Sequence, residues 1–528
     1  MNPARPYPWT TKRLSKFRTT AFEHIWSLPG VMLVLFTSVL PLFVLTKDTV
    51  RSFSALKTLS REPILSALRF SIWQAIWSTT VTLAVGSVLA WVLARYEFRG
   101  RRAIRVIVTV PFVLPTVVVG SAFLALLPTS VERSFGSIVF AHVFFNIAVV
   151  VRLVTPQWSM VDPDLLAAAR TLGASPFRLV TRIVVPLAGS ALKVAGAIVF
   201  LMSFTSYGVV RLLGGPGSNT IEVEIYRRAV VLGDISGATV LATAQTLVII
   251  ALFALATRRR SVDMQRVDVD RRSAPLWATA SGYTAAALIL VPLTAMIVHS
   301  VRSSGRWTNS GWVNLFSSTG SVLDDVDMLS VVTRSLMFAL LAAGISVPIG
   351  IAAAIGLAQR RSSLTAALLV VPMATSAVVI GFGILVTYDQ SPFDFRSQWW
   401  LIPCIHAVVA LPFVVRSSLS VVESIPQGLR DAAAVLGASP FRRWWDVDAP
   451  LLAPALATGL GLSAALSLGE FGATSFLTRH RTQTLPIVVD QLLGRAGDTA
   501  FTTAMAAATF LLVLTSLIVV SFDSTMRT

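Results

Sequence analysis

The chain has 528 residues, 54% of them hydrophobic and only 13% charged, with a formal net charge of +18 and a mean hydropathy of +0.73. That apolar share excludes an ordinary soluble domain and points to an integral membrane protein. The charge does not imply nucleic acid, because the basic residues sit in short runs between apolar stretches, and the single cysteine, Cys404, excludes an intrachain disulfide or a cysteine-rich metal site.

From the N-terminus, Arg5, Lys12, Arg13, Lys16 and Arg18 precede an apolar stretch that ends near Leu45, and no small-residue cleavage pattern follows it. The expectation is an uncleaved first membrane helix with its N-terminus in the cytoplasm. A helix needs about 20 largely apolar residues to cross the hydrocarbon core. Twelve stretches qualify, at 29–46, 67–94, 103–127, 136–155, 187–213, 236–257, 274–300, 331–358, 363–387, 399–421, 451–477 and 499–521. Arginines crowd the connections 95–105 and 258–272 and the turn Arg360-Arg361, which places these on the cytoplasmic side. The fold class is therefore all-α and multi-pass in the cell's inner membrane, with both termini cytoplasmic.

Shifted by 264 residues, the chain matches itself without a gap from His142 to Asp234. His142 meets His406, Arg152 meets Arg416, Pro186 meets Pro450 and Gly208 meets Gly472, while Leu172 to Arg178 recurs identically at Leu436 to Arg442. Pro111 and Gly120 match Pro372 and Gly381 at a shift of 261, which places a three-residue loss in the second copy around its third and fourth helices. The chain reads as a tandem duplication of six spans. An even number per copy gives both halves one orientation, related by a pseudo-two-fold axis along the membrane normal. The halves are drawn at 1–257 and 274–528, joined by a polar linker at 258–273.

The repeated motif falls in the cytoplasmic loops 156–187 and 422–451. In copy one, Ala167, Ala168 and Ala169 are followed by Gly173, Pro176 and Pro186; in copy two, Asp431, Ala432 and Ala433 are followed by Gly437, Pro440 and Pro450. The alanines predict a short helix with a closely approachable face, ended by the glycine. Ser175-Pro176 and Ser439-Pro440 then predict a second helix with serine at the N-cap and proline at its first position. The product is a helix-turn-helix elbow on the membrane surface.

This pattern resembles the EAA loop of the permeases of binding-protein-dependent ABC importers, in which Glu-Ala-Ala is followed by a glycine and a closing proline. Ala167 stands where that pattern has glutamate and Asp431 supplies an acid in the second copy, so the halves should grip their partner unequally. The resemblance implies that each loop docks on a cytoplasmic ATP-binding subunit, present as a homodimer, and that an extracytoplasmic binding protein delivers the solute. It further implies that ATP and magnesium bind the partner, with no cofactor on this chain, which contains no phosphate-binding loop motif. Segments such as Phe70 to Ala75, Ala141 to Asn146, and Gly469-Glu470-Phe471-Gly472 are similar to fused thiamine and iron(III) permeases, so the implied solute is thiamine or ferric iron.

For a translocation path the candidates are Glu470 and Phe471, with Ser206 and Tyr207 at the matching positions of the first half. Glu470 is the one acid well inside an expected span, where a carboxylate should face a cavity or hydrogen-bond a neighbour. His142 and His406 lack acids or cysteine at ligand spacing and are expected to hydrogen-bond a neighbouring helix. Arg152 and Arg416 should snorkel to the cytoplasmic interface, and Asp234 and Asp498 should cap the helices that follow them. Twelve spans in parallel halves also fit an ion-coupled secondary transporter, which lacks paired elbows. No pairing of nucleophile and base suggests an enzyme.

Overall fold

The computed structural model describes residues 26–51, 62–215, 217–257, 272–317, 326–359, 362–389, 394–396 and 398–524. The basic N-terminal run, the turn at Arg360-Arg361 and most of the linker lie outside these residues. Among the described residues, nine helices are long and apolar enough to span a membrane, and three bent pairs raise the number to twelve. Ten of them coincide with the stretches expected from hydropathy; the fifth and eleventh overlap theirs but begin 10 residues earlier and end at Phe204 and Gly469, short of the expected 213 and 477.

The bends are where hydropathy says least. In the third span, Arg101–Val113 meets Thr116–Leu126 at 110°, and in the ninth, Ser363–Ala374 meets Ala377–Thr387 at 98°. Leu114 is extended because it precedes Pro115, and an α-conformation there would clash with the proline ring. The second copy turns the same corner differently: Ser376 stands in place of Pro115, and its Oγ accepts the Val379 N–H at 3.3 Å as an N-cap.

The structure also relocates the register change between the copies. Long helices Glu62–Arg95 and Met328–Gln359 keep the shift of 264, as Gly86 and Gly350 show, and the shift of 261 holds from Val110–Val113 and Val371–Ala374 through Thr116–Leu126 and Ala377–Thr387. The missing residues thus fall before the ninth span rather than after it, and the connection from the ninth to the tenth helix restores them.

The halves interlock. The first helix (Leu28–Lys47) packs on the ninth span, where Tyr388 donates to the Phe36 carbonyl at 2.7 Å and their rings lie 4.7 Å apart. The seventh helix, Leu276–Ser300, packs in turn on the third span, with Gly282 against Phe98 and Ile104. Just ahead of it, Arg272 and Ser273 pair in parallel with Tyr96 and Glu97. Each half therefore lends its first helix to the other, a dovetail that buries apolar surface on both sides of the pseudo-two-fold axis.

Candidate functional site

Two regions concentrate the features singled out in the sequence: a pair of surface elbows and a break in the helices at the axis. In the first elbow, Pro163–Thr171 forms a short helix whose N-cap, Asp162, accepts the Asp164 N–H at 2.8 Å. It stops at Gly173, with φ +79°, where Ala174 N–H donates to Ala169 C=O and Gly173 N–H to Arg170 C=O, both at 3.0 Å. This crossed pair is the Schellman end that a left-handed glycine permits. The second elbow repeats it: Gln427–Val435 stops at Gly437, φ +84°, with Ala438 N–H on Ala433 C=O and Gly437 N–H on Ala434 C=O, again at 3.0 Å. Ser175 and Ser439 then cap the next helices, begun by Pro176 and Pro440, through Arg178 N–H and Arg442 N–H. Each second helix passes through one π-type turn, 180–184 or 444–448, immediately before the Val185-Pro186 or Ala449-Pro450 pair.

The expected faces are exposed. Ala167 and Ala168, like Asp431 and Ala432, lie on the surface; Ala169 and Ala433 are half-buried. Around them project apolar side chains that membrane packing leaves uncovered: Leu172 (87%) and Phe177 (76%) in one elbow, Leu436 (87%) and Phe441 (75%) in the other. Six spans separate the elbows, so both occupy the same end of the helix array.

The two elbows are braced by different means. In the first, Leu166 is buried in a cluster with Leu179 and Val184, and Trp158 Nε1 donates to the Val184 carbonyl at 2.9 Å. At the matching positions of the second stand Arg430 and Asp448, whose Nε and Oδ1 lie 2.7 Å apart. A further asymmetry follows the elbow: Phe177–Leu187 and Gly189–Phe204 meet at 74°, while Phe441–Gly469 runs through. Gly189, a poor helix interior residue, has Ala453 as its counterpart.

At the axis, the expectation that Ser206, Tyr207, Glu470 and Phe471 lie within spans is corrected. The helices end at Phe204 and Gly469, and these four residues form the break before the short helices Gly208–Leu213 and Thr474–Leu477. The structure nonetheless brings them together: the matching rings Tyr207 and Phe471 face each other at 5.0 Å, so the pseudo-two-fold axis runs between them. Glu470, 7% exposed, turns inward on its own chain, accepting from Ala473 N–H and Thr474 N–H, both at 3.0 Å, and from Thr474 Oγ1 at 2.7 Å. The carboxylate caps the following helix, where its charge meets the helix's positive end. The carboxylate is hydrogen-bonded to the segment after it, and its Oε2 also lies 3.8 Å from Nε2 of His406 on the neighbouring helix Leu401–Ser424.

Both histidines hydrogen-bond neighbours. His406 lies between Ser467 Oγ at 2.7 Å and Thr474 Oγ1 at 2.9 Å, and His142 Nδ1 meets Ser78 Oγ at 3.0 Å. Asp234 caps its helix through Gly237 N–H at 2.9 Å, while Asp498 accepts from Ser304.

Two buried acids and one half-buried acid were not among the candidates from sequence. Glu222 (1% exposed) accepts from Gln245 Nε2 at 2.6 Å and lies beside Ser376 and Glu470 of the second half. Glu224 (2%) is paired with Arg228 at 2.8 Å. Asp490 reaches across the axis to Arg211 at 3.2 Å, and that guanidinium lies 5.4 Å from the centre of the Tyr226 ring. All three belong to connectors that dip back between the helices, and the alternation Ile221-Glu222-Val223-Glu224-Ile225 was the available signal. Matching hydrogen bonds pin these connectors: Ile221 N–H to Ser71 Oγ at 2.8 Å, and Leu485 N–H to Ser335 Oγ at 2.9 Å.

The chain is similar to several known proteins. The putative 2-aminoethylphosphonate transport system permease protein PhnV of Salmonella choleraesuis is 30% identical over 261 residues, covering 46% of this chain and 95% of that protein. The probable ABC transporter permease protein y4fN of Sinorhizobium fredii is 22% identical over 513 residues, 88% of each chain. The spermidine/putrescine transport system permease protein PotC of Escherichia coli is 29% identical over 169 residues, 32% of this chain and 64% of that protein. A crystal structure of a bacterial alginate ABC transporter, in complex with a periplasmic protein bound to an alginate pentasaccharide, is similar over 46% of this chain and 96% of that one, at 16% identity and a TM-score of 0.41. The profile of the family described as binding-protein-dependent transport system inner membrane component matches twice, at residues 83–261 and 346–527. The chain belongs to that family, as an ABC transporter permease with two family domains fused in tandem.

Proposed function

We propose that the chain moves a small solute, handed over by an extracytoplasmic binding protein, into the cytoplasm by alternating access driven by an ATP-binding subunit homodimer. The observation that carries this reading is the pair of elbows, alike in backbone, on one end of the helix array and each presenting uncovered leucine and phenylalanine. Surfaces of that kind suit a partner's groove. In this reading residues 1–257 and 274–528 are the two moving halves, joined through 258–273, and both termini are cytoplasmic. ATP and magnesium belong to the partner. Closure of the ATPase dimer draws the elbows together, and the halves pivot about the dovetailed first and seventh helices. On the opposite side of the membrane, Arg211–Asp490 and the packed Tyr207–Phe471 pair hold the halves closed at the axis until the loaded binding protein docks.

Thiamine and ferric iron are the solutes the sequence resemblance implied; the relatives described above carry 2-aminoethylphosphonate and spermidine/putrescine in their names. ATP hydrolysis in liposomes, with chain, ATPase and binding protein reconstituted together, separates them. Stimulation by binding protein carrying one of these solutes establishes the importer and its cargo. Failure of the chain to associate with the ATPase, together with uptake driven by an ion gradient alone, overturns the reading.

A further inference from the structure

A cavity of about 790 Å³ lies at the elbow end of the first half, bounded by helices Arg101–Thr109, Phe135–Ser159 and Asp498–Ser524. Its lining includes two cations and two hydroxyls, Arg105, Arg152, Thr155 and Thr515, and no acid. The lining also includes the aliphatic side chains of Val110, Val113 and Val519. Arg101, at the back, is already engaged by the Leu93 carbonyl and Glu97. Arg105 and Arg152 form no ion pair with any described residue. At the rim, Val106 (51%) and Val520 (64%) are exposed, so the cavity opens onto an apolar surface that in a bilayer faces acyl chains.

Snorkelling accounts for a lone arginine at this depth, but it requires neither a cavity nor hydroxyls in its lining. The duplication supplies an internal control. Arg416 repeats Arg152, yet Ala366, Leu419 and Ala251 stand at the pseudo-symmetric positions of Arg105 and Thr155 of the first half and Thr515 of the second. The second half thus keeps the arginine and lacks the site, so neither helix packing nor membrane orientation demands these polar residues together.

We infer that this groove binds one anionic glycerophospholipid, its phosphate between Arg105 and Arg152 and an acyl chain along Val110, Val113 and Val519. Charge complementarity selects an anion, since a phosphodiester can take charge-assisted hydrogen bonds from both guanidiniums, whereas the Thr515 hydroxyl already donates to the Leu511 carbonyl at 2.7 Å. The aliphatic lining and open rim select the lipid over a free anion. Each arginine near the membrane surface contributes to anionic-lipid binding, and removing both should weaken it about thirtyfold.

The test is native mass spectrometry of the full chain in detergent, titrated with phosphatidylglycerol or with phosphatidylcholine of the same acyl chains. One tightly held phosphatidylglycerol is expected, with affinity lost about thirtyfold in Arg105→Gln/Arg152→Gln and unchanged in Arg416→Gln. Val519→Trp, which keeps both charges and crowds the aliphatic lining, should also lose it, and a monodisperse elution profile certifies the fold of each variant. Equal phosphatidylglycerol binding by wild type and Arg105→Gln/Arg152→Gln overturns the proposal. So does displacement of the lipid by inorganic phosphate at equal concentration, which would make the groove a site for a free anion.

Discussion

Replacing Gly173 or Gly437 tests whether the elbow's backbone, rather than its surface, carries coupling. Both residues sit at positive φ, +79° and +84°, and a Cβ built on either meets nothing within 4 Å. An alanine there adds no clash, so its whole effect is conformational, about 1–2 kcal/mol for holding a non-glycine residue in the left-handed region. That is roughly a tenfold shift toward an opened turn. The amides that report it are Gly173, Ala174, Gly437 and Ala438, whose hydrogen bonds close the Schellman ends. In Gly173→Ala and Gly437→Ala their hydrogen exchange should quicken about tenfold, and ATP-driven uptake should fall with it. Gly→Asn should lie between wild type and alanine, because asparagine tolerates this conformation, and Gly→Val should be the worst. If alanine and valine variants exchange and transport like wild type, the geometric argument is wrong.

Three further outcomes follow from the packing. Arg430→Leu should destabilise the second elbow by about 1 kcal/mol by stranding Asp448, and Arg430→Leu/Asp448→Val, which copies the first elbow's Leu166 and Val184, should recover it in a denaturation double-mutant cycle. Glu470→Gln keeps the shape but turns one of two accepting oxygens into a donor facing Ala473 or Thr474 N–H, and should cost about 2 kcal/mol of thermal stability. Unchanged melting would show that the cap contributes nothing. Gly381→Ala should be far more damaging to folded yield than Gly120→Ala, since the new Cβ meets the Ala473 backbone at 2.6 Å in the second half but the flexible end of Leu212 at 2.5 Å in the first.

All twelve spans were legible because hydropathy measures the one quantity that the bilayer imposes, a length of apolar helix. The elbows were legible because glycine, serine and proline each have a backbone meaning that tertiary context left intact at Gly173, Ser175 and Pro176. The bends were not: Pro115 and Ser376 make the same corner by different chemistry, so a repeat comparison aligned to identities passes over it. Ser206 and Glu470 were misplaced within spans because the apolar run continues past the helix end into Gly208–Leu213 and Thr474–Leu477. Glu222, Glu224 and Asp490 were missed for the converse reason: they lie between the expected spans, where hydropathy gives no sign of burial, yet each is buried or half-buried with a hydrogen-bonding or ionic partner in a connector that returns into the bundle.

In a permease assembled from two identical chains, a residue on the axis must face its own copy. Fusion into one polypeptide lifts that restriction. Tyr207 meets a phenylalanine instead of a second tyrosine, and Arg211 reaches Asp490 because its own counterpart is Ser475 and Asp490's is Tyr226. Two family domains on one polypeptide also mean that a single substitution alters one half alone. The two ends of the transport cycle can thus be weighted separately, and a partner bound to the Leu166 elbow meets a different brace from one bound to the Arg430 elbow.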